Sequence, residues 1–206
     1  MADREVDFPL IGDRYYGGSQ DWYRTWMMRL GGCSTTTACE LCLCLARSRS
    51  DMRLLYPGDL DRISREDFCR FADLMYPYVH PELNGLTDVD RYAMMLKSYA
   101  ASVGARVETE TLRGERPLAE AEKFIRTAVD SGRPVSFLLL RHRNPALDDF
   151  EWHWFTVTGY ADTQDGLQLS AANYGRRCRL NLALAWDTGY AQKGGLAVLR
   201  APQSAG

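Results

Sequence analysis

The chain lacks any hydrophobic run long enough to cross a bilayer; its longest apolar stretches, such as Val135 to Leu140, are of strand length. It also lacks an excess of either charge. With a formal net charge of −2, nothing steers it toward nucleic acid or an anionic membrane, and neither partner is expected. Arg176, Arg177 and Arg179 form the densest basic run and read as a solvated turn. The opening residues from Met1 to Asp7 are too acidic and too interrupted for a signal peptide, which leads to the expectation of a cytoplasmic protein. Internal repeats and low-complexity segments are absent. Histidine is scarce: His80 precedes Pro81, His142 lies in the charged run Arg141-His142-Arg143, and His153 alone heads a strand-like segment.

Cysteine is not scarce, yet its placement argues against a disulfide framework. Of the six, Cys39, Cys42 and Cys44 fall within one predicted helix, whose rigid backbone places them poorly for bonding one another. Cys39 and Cys42 share a helix face, but no second Cys or His pair at ligand spacing completes a metal site, so no metal and no cofactor are expected. They read as small core residues. An apolar fraction of 46% over 206 residues is ample for a core, and the length suits one domain, 1–206.

The layout changes along that domain. Residues 1 to roughly 32 carry Gly12, Gly17, Gly18, Gly31 and Gly32 without periodicity and read as an irregular entry segment. The spacing then predicts a helix from about Cys33 to Arg47 that is apolar nearly all round, hence buried on most of its surface. Further helices are predicted from Ser64 to Pro77 behind a near capping box, from Thr87 to Gly104, and from Pro117 to about Gly132. Strands are predicted at 106–112, 134–140, 152–160, 167–173, 179–185 and 196–199. A mainly helical lobe over about 1–104 and a mainly β lobe over about 105–206 make an α+β layout with an antiparallel sheet.

Gly31-Gly32-Cys33 delivers a cysteine to a helix N-terminus, where unpaired N–H groups and the positive end of the helix dipole favour thiolate. His153 follows about 120 residues later at the head of His153-Trp154-Phe155-Thr156-Val157-Thr158-Gly159-Tyr160. A histidine brought to that thiol by the fold can take its proton, giving an activated nucleophile.

At these points the sequence resembles the papain-like cysteine peptidase superfamily, and it is similar in layout to the smaller branch of bacteriocin-leader peptidases. It also resembles loosely characterised bacterial proteins with Gln-x-Trp before a Gly-Gly-Cys turn, here Gln20-Asp21-Trp22. The motifs span Gln20 to Gly175. The resemblance implies a papain-like fold and a cysteine hydrolase, peptidase or amidase, acting on a peptide or amide substrate without a cofactor. It implies Cys33 as nucleophile, His153 as base and then acid, and Asn173 as the residue orienting the imidazole. Gln20 would share an oxyanion hole with the Cys33 N–H. The loop carrying Trp22 and Trp26 must then fold back. Aligning on Gly175 puts Ala172 at the usual asparagine place, so Asn173 reaches His153 only if a bulge shifts the strand register. Failing Asn173, Ser170 or a backbone carbonyl would meet the ring, with the sulfur within about 3.5–4 Å of its other nitrogen. The alternatives are a non-catalytic binding protein that kept the fold, and acyl transfer to an amine.

Overall fold

A computed structural model describes residues 3–82 and 85–202, so the termini and residues 83–84 of the expected 1–206 domain lie outside the described residues. In chain order it contains β1 (Arg4–Glu5), β2 (Leu10–Ile11), β3 (Tyr15–Tyr16), α1 (Trp26–Gly31), α2 (Cys33–Ser48), α3 (Arg65–Met75), α4 (Val89–Ser102) and β4 (Glu108–Arg113). There follow α5 (Leu118–Asp130), β5 (Val135–Leu139), β6 (His153–Thr163), β7 (Gly166–Asn173), β8 (Arg176–Asn181), α6 (Leu182–Trp186) and β9 (Gly195–Arg200). Short 3-10 turns cover Gln20–Trp22, Ser50–Leu55 and Pro145–Phe150. No helix among the described residues is long and apolar enough to cross a membrane.

The main sheet runs in the order β4-β9-β5-β6-β7-β8, with β1 added to β6 and every pairing antiparallel. The molecule is therefore α+β. Strand β5 is buried along its whole length, and its alternation explains why. Leu138 and the following Leu140 pack into the core that holds α2, α3 and α4, while Val135, Phe137 and Leu139 enter a second core with α5 and α6. Helices thus cover both faces of the sheet.

Helix α2 is buried from Cys33 through Ala46. Most of its hydroxyl and carboxyl groups are paired internally, Ser34 Oγ being without a partner among the described residues. Thr37 Oγ1 lies 3.0 Å from Tyr92 Oη, which lies 2.9 Å from Ser136 Oγ, tying α2 to α4 and β5. The hydroxyl of Thr35 donates to the Val79 carbonyl at 2.7 Å. Helix α3 begins with the full capping box of Ser64 and Asp67, and α4 is capped by Asp88, whose side chain accepts from Asp90 and Arg91 N–H.

The structure corrects four sequence expectations. The entry segment is less irregular than its glycines suggest: β1 joins the main sheet, β2 and β3 pair, and α1 occupies Trp26–Gly31. The strand expected to continue to Ala185 ends at Asn181, whose side chain accepts from Leu184 N–H and starts α6. Arg176, Arg177 and Arg179 lie on strand β8 and not on a turn, with Arg177 and Arg179 paired to Glu5 and Asp3. Finally, Pro117 stands one position before α5 and not within its first turn.

Because Leu43 is fully buried in the middle of α2, Leu43→Ala should lower the unfolding free energy by about 3 kcal/mol, read from urea titration by circular dichroism.

Candidate active site

Cys33, the first residue of α2, follows directly on α1 through Gly32. Gly32 has no room for a side chain, since a Cβ there would stand 2.4 Å from the Met28 carbonyl oxygen. Cys33 lines a narrow cleft together with Gln20, Glu40, His153, Asn173 and Tyr174, so the four residues singled out in the sequence all reach one place.

The contact between His153 and Asn173 depends on a register shift. Beside the β6–β7 turn, Tyr160 faces Leu169 and Gly159 faces Ser170; beyond Thr158, Val157 faces Ala171 and Thr156 faces Ala172. The extra residue in β6 is a bulge, and it sets Asn173 rather than Ala172 on the strand face of position 153. His153 Nε2 then donates to Asn173 Oδ1 at 2.7 Å. That bond fixes the tautomer and leaves Nδ1 with a free lone pair. Tyr174 and Gly175, at φ 49° and 71°, form the two-residue turn into β8, as a type I′ hairpin requires. The turn lays the Tyr174 ring flat on His153, with centroids 4.8 Å apart and planes 7° from parallel.

The flanking tryptophans do not sandwich the histidine. Trp154 turns away, stacks on Tyr92 at 4.2 Å and donates its indole N–H to the Leu86 carbonyl. Trp152 is half-exposed and sits at φ 52°, a left-handed conformation costing a side-chain-bearing residue on the order of 1–2 kcal/mol. It is held there by a 2.6 Å bond from its N–H to the Leu140 carbonyl.

Electrostatics in the cleft differ from the simple helix-dipole expectation. Burial pushes the Cys33 thiol up, against main-chain N–H groups of Trp154, Ser34 and Cys33 itself that favour the thiolate. Burial also pushes His153 down, with its bond to Asn173 pulling the other way. Both shifts favour the neutral thiol and imidazole over the ion pair. No hydrogen bond between the two is found among the described residues; the thiol donates weakly to the Gly31 carbonyl at 3.9 Å.

Gln20 reaches the cleft but its amide is engaged elsewhere. Nε2 donates to the Arg29 carbonyl at 2.7 Å and lies 3.4 Å from that of Leu30, while the buried Oε1 has no partner. The donors that favour the Cys33 thiolate are main-chain N–H groups. His142, which the sequence sets aside, accepts the Asn144 N–H at Nδ1 and bonds the Leu184 carbonyl through Nε2, so its ring is fully used in holding a loop. Cys39, Cys42 and Cys44 are buried with thiols pushed up mainly by burial, and no metal-ligating cluster occurs among the described residues.

Two features escaped the sequence reading. The first is a cavity of about 560 Å³ that opens beside Cys33 between α1 and the ends of β5 and β6, walled by Trp26, Leu30, Leu86, Leu140, Trp152 and Trp154. Trp26 and Leu30 stand largely exposed at its rim, an uncommon cost for residues of their size. The second is Glu40, a carboxyl buried within α2. It accepts the Gly18 N–H at 2.8 Å and the Thr156 hydroxyl, and no cation bonds it. Burial pushes its pKa from 4.5 to about 8. Comparison with protein-family models and with curated proteins returns no match.

Between those two values the folded chain holds a proton on Glu40 that the unfolded chain has lost. Stability therefore declines as pH rises from 5 to 8, by up to roughly 1.4 kcal/mol per pH unit. Urea titrations of wild type and Glu40→Gln across that window should show this decline in the wild type and its loss in the variant.

Proposed function

We propose that this chain is a papain-like cysteine hydrolase that cleaves an amide, a peptide bond foremost, beside a bulky apolar group. The 2.7 Å bond from His153 Nε2 to Asn173 Oδ1, in a cleft that also holds the Cys33 thiol, carries the reading. An imidazole held by one nitrogen presents the other, unprotonated, as a base.

The chemistry balances with these groups alone. As the Cys33 sulfur bonds the scissile carbonyl carbon, its proton passes to His153 Nδ1. Main-chain N–H groups at the head of α2 face the oxyanion. The carbon–nitrogen bond then breaks, and the imidazolium returns the proton to the departing amine. Water, deprotonated by the same nitrogen, cleaves the thioester and restores the thiol. Because the resting pair is neutral, deprotonation accompanies attack and does not precede it. The apolar cavity beside Cys33 suits a large hydrocarbon or aromatic side chain next to the cleaved bond. A reduced Cys33 is required throughout, which fits the reducing cytoplasm.

A second reading, a binding protein that kept the cleft without turnover, draws on the raised Cys33 thiol and on the engaged Gln20 amide. Acyl transfer to an amine would use the same residues with an amine in place of water.

Iodoacetamide labelling followed by peptide mass mapping separates the readings. The hydrolase should be alkylated at Cys33 faster than at the half-buried Cys69 and Cys178; equally slow labelling of all three sinks it. On a panel of peptidyl arylamides, leucine and phenylalanine derivatives should be cleaved ahead of acidic ones, and His153→Ala should cost at least about 100-fold in kcat. Since burial lowers His153, the acid limb of kcat/KM should fall below pH 6.5, the ordinary histidine value.

A further inference from the structure

We propose that Glu40 is a positioning residue of the thiol site: a single carboxyl on the nucleophile helix that fixes the loop bearing Gln20 and the strand bearing His153. The inference rests on the hydrolase reading for its purpose, though its geometry stands independently. Glu40 follows Cys33 by two helical turns, which puts both on one side of α2 about 10 Å apart along its axis. Its two oxygens serve different segments. Oε1 accepts from Gly18, two residues before Gln20, and Oε2 accepts from Thr156, three residues after His153. Thr156 in turn faces Ala172, the neighbour of Asn173.

The packing around the carboxyl is close on the loop side. Gly17 sits at φ 76°, and a Cβ there would stand 2.4 Å from Glu40 Oε1 and 3.2 Å from the Ala172 side chain. The loop is therefore seated directly on Glu40 and on β7. From the helix that begins with Cys33, one side chain thus bonds the segment before Gln20 and the strand that begins with His153. A carboxyl costs more to bury than an apolar group, and leucine would fill much the same volume. What leucine cannot do is accept the Gly18 N–H and the Thr156 hydroxyl. Glutamine can serve both, its oxygen accepting from Gly18 and its amide donating to Thr156.

The test compares wild type, Glu40→Leu, Glu40→Gln and Thr156→Val, each checked for folding by circular dichroism. Two readouts are taken: the rate of Cys33 alkylation by iodoacetamide at pH 7, and the proton resonance of the His153 Nε2–H in histidine-labelled protein. Glu40→Leu should slow Cys33 labelling about 10- to 100-fold and abolish the sharp Nε2–H signal, as a misplacement near 1 Å would. Glu40→Gln should keep both within threefold of wild type. If Glu40→Leu does not fold, Thr156→Val decides, with the same losses in smaller degree and recovery in Thr156→Ser. A folded Glu40→Leu with both readouts intact, or a Glu40→Gln as impaired as the leucine variant, overturns the inference. A wild type that labels Cys33 no faster than Cys69 overturns the hydrolase reading instead, and the Nε2–H signal then judges Glu40 by itself.

Discussion

The burial of α2 from Cys33 through Ala46 is the constraint from which the rest of the molecule follows. A polar side chain buried with such a helix is costly unless a partner meets it, and three along this one form fixed joints to other parts of the chain. Thr35 meets the chain at Val79, Thr37 meets α4, and Glu40 meets both the entry loop and the His153 strand. The helix is less a hydrophobic rod than a rod with polar pegs, and those pegs index its rotation and depth against the sheet. Cys33 inherits that precision because it begins the same helix.

The same enclosure sets the terms of the thiol's chemistry. Desolvation and helix-end donors pull the Cys33 ionisation in opposite directions, and desolvation is the larger. On the hydrolase reading, such a cleft keeps the Cys33 thiol protonated until a group able to take its proton comes up to the sulfur. On this view binding and activation are coupled.

Much of this was legible in the residues, and the exceptions have physical causes. The cap of α3 is local chemistry, so Ser64 with Asp67 announced it, whereas α4 was read from Thr87 and is capped one residue later by Asp88. The nearly all-round apolar character of α2 and the short apolar run of β5 announced their burial. Helix α1 was hidden because it is barely more than one turn and turns Trp26 and Leu30 outward, against the usual pattern. Asn181 hid α6 by sitting between two leucines in what reads as a continuing strand. The β6 bulge has no residue signature of its own, so the partner of His153 was conditional in sequence. Gly159 marks its neighbourhood for another reason: β1 crosses there, and a side chain would stand 2.5 Å from the Arg4 carbonyl oxygen. Glu40 stayed invisible because one charge in an apolar helix ordinarily marks an exposed spot, and α2 has none in its middle.

The outermost strands of the sheet, β4 and β8, carry Glu108, Glu110 and Arg113 on one side and Arg176, Arg177 and Arg179 on the other. A strand edge is a row of unpaired donors and acceptors open to any extended chain that approaches. Here each edge is fringed with ion pairs: Glu108 and Glu110 meet Arg200, Arg113 meets Asp90, Arg177 meets Glu5 and Arg179 meets Asp3. An extended chain added at either edge would lie against these ion pairs and would have to fit around their long side chains. These exposed pairs are screened by salt, so concentrated salt is the condition under which the fringe along both edges loosens.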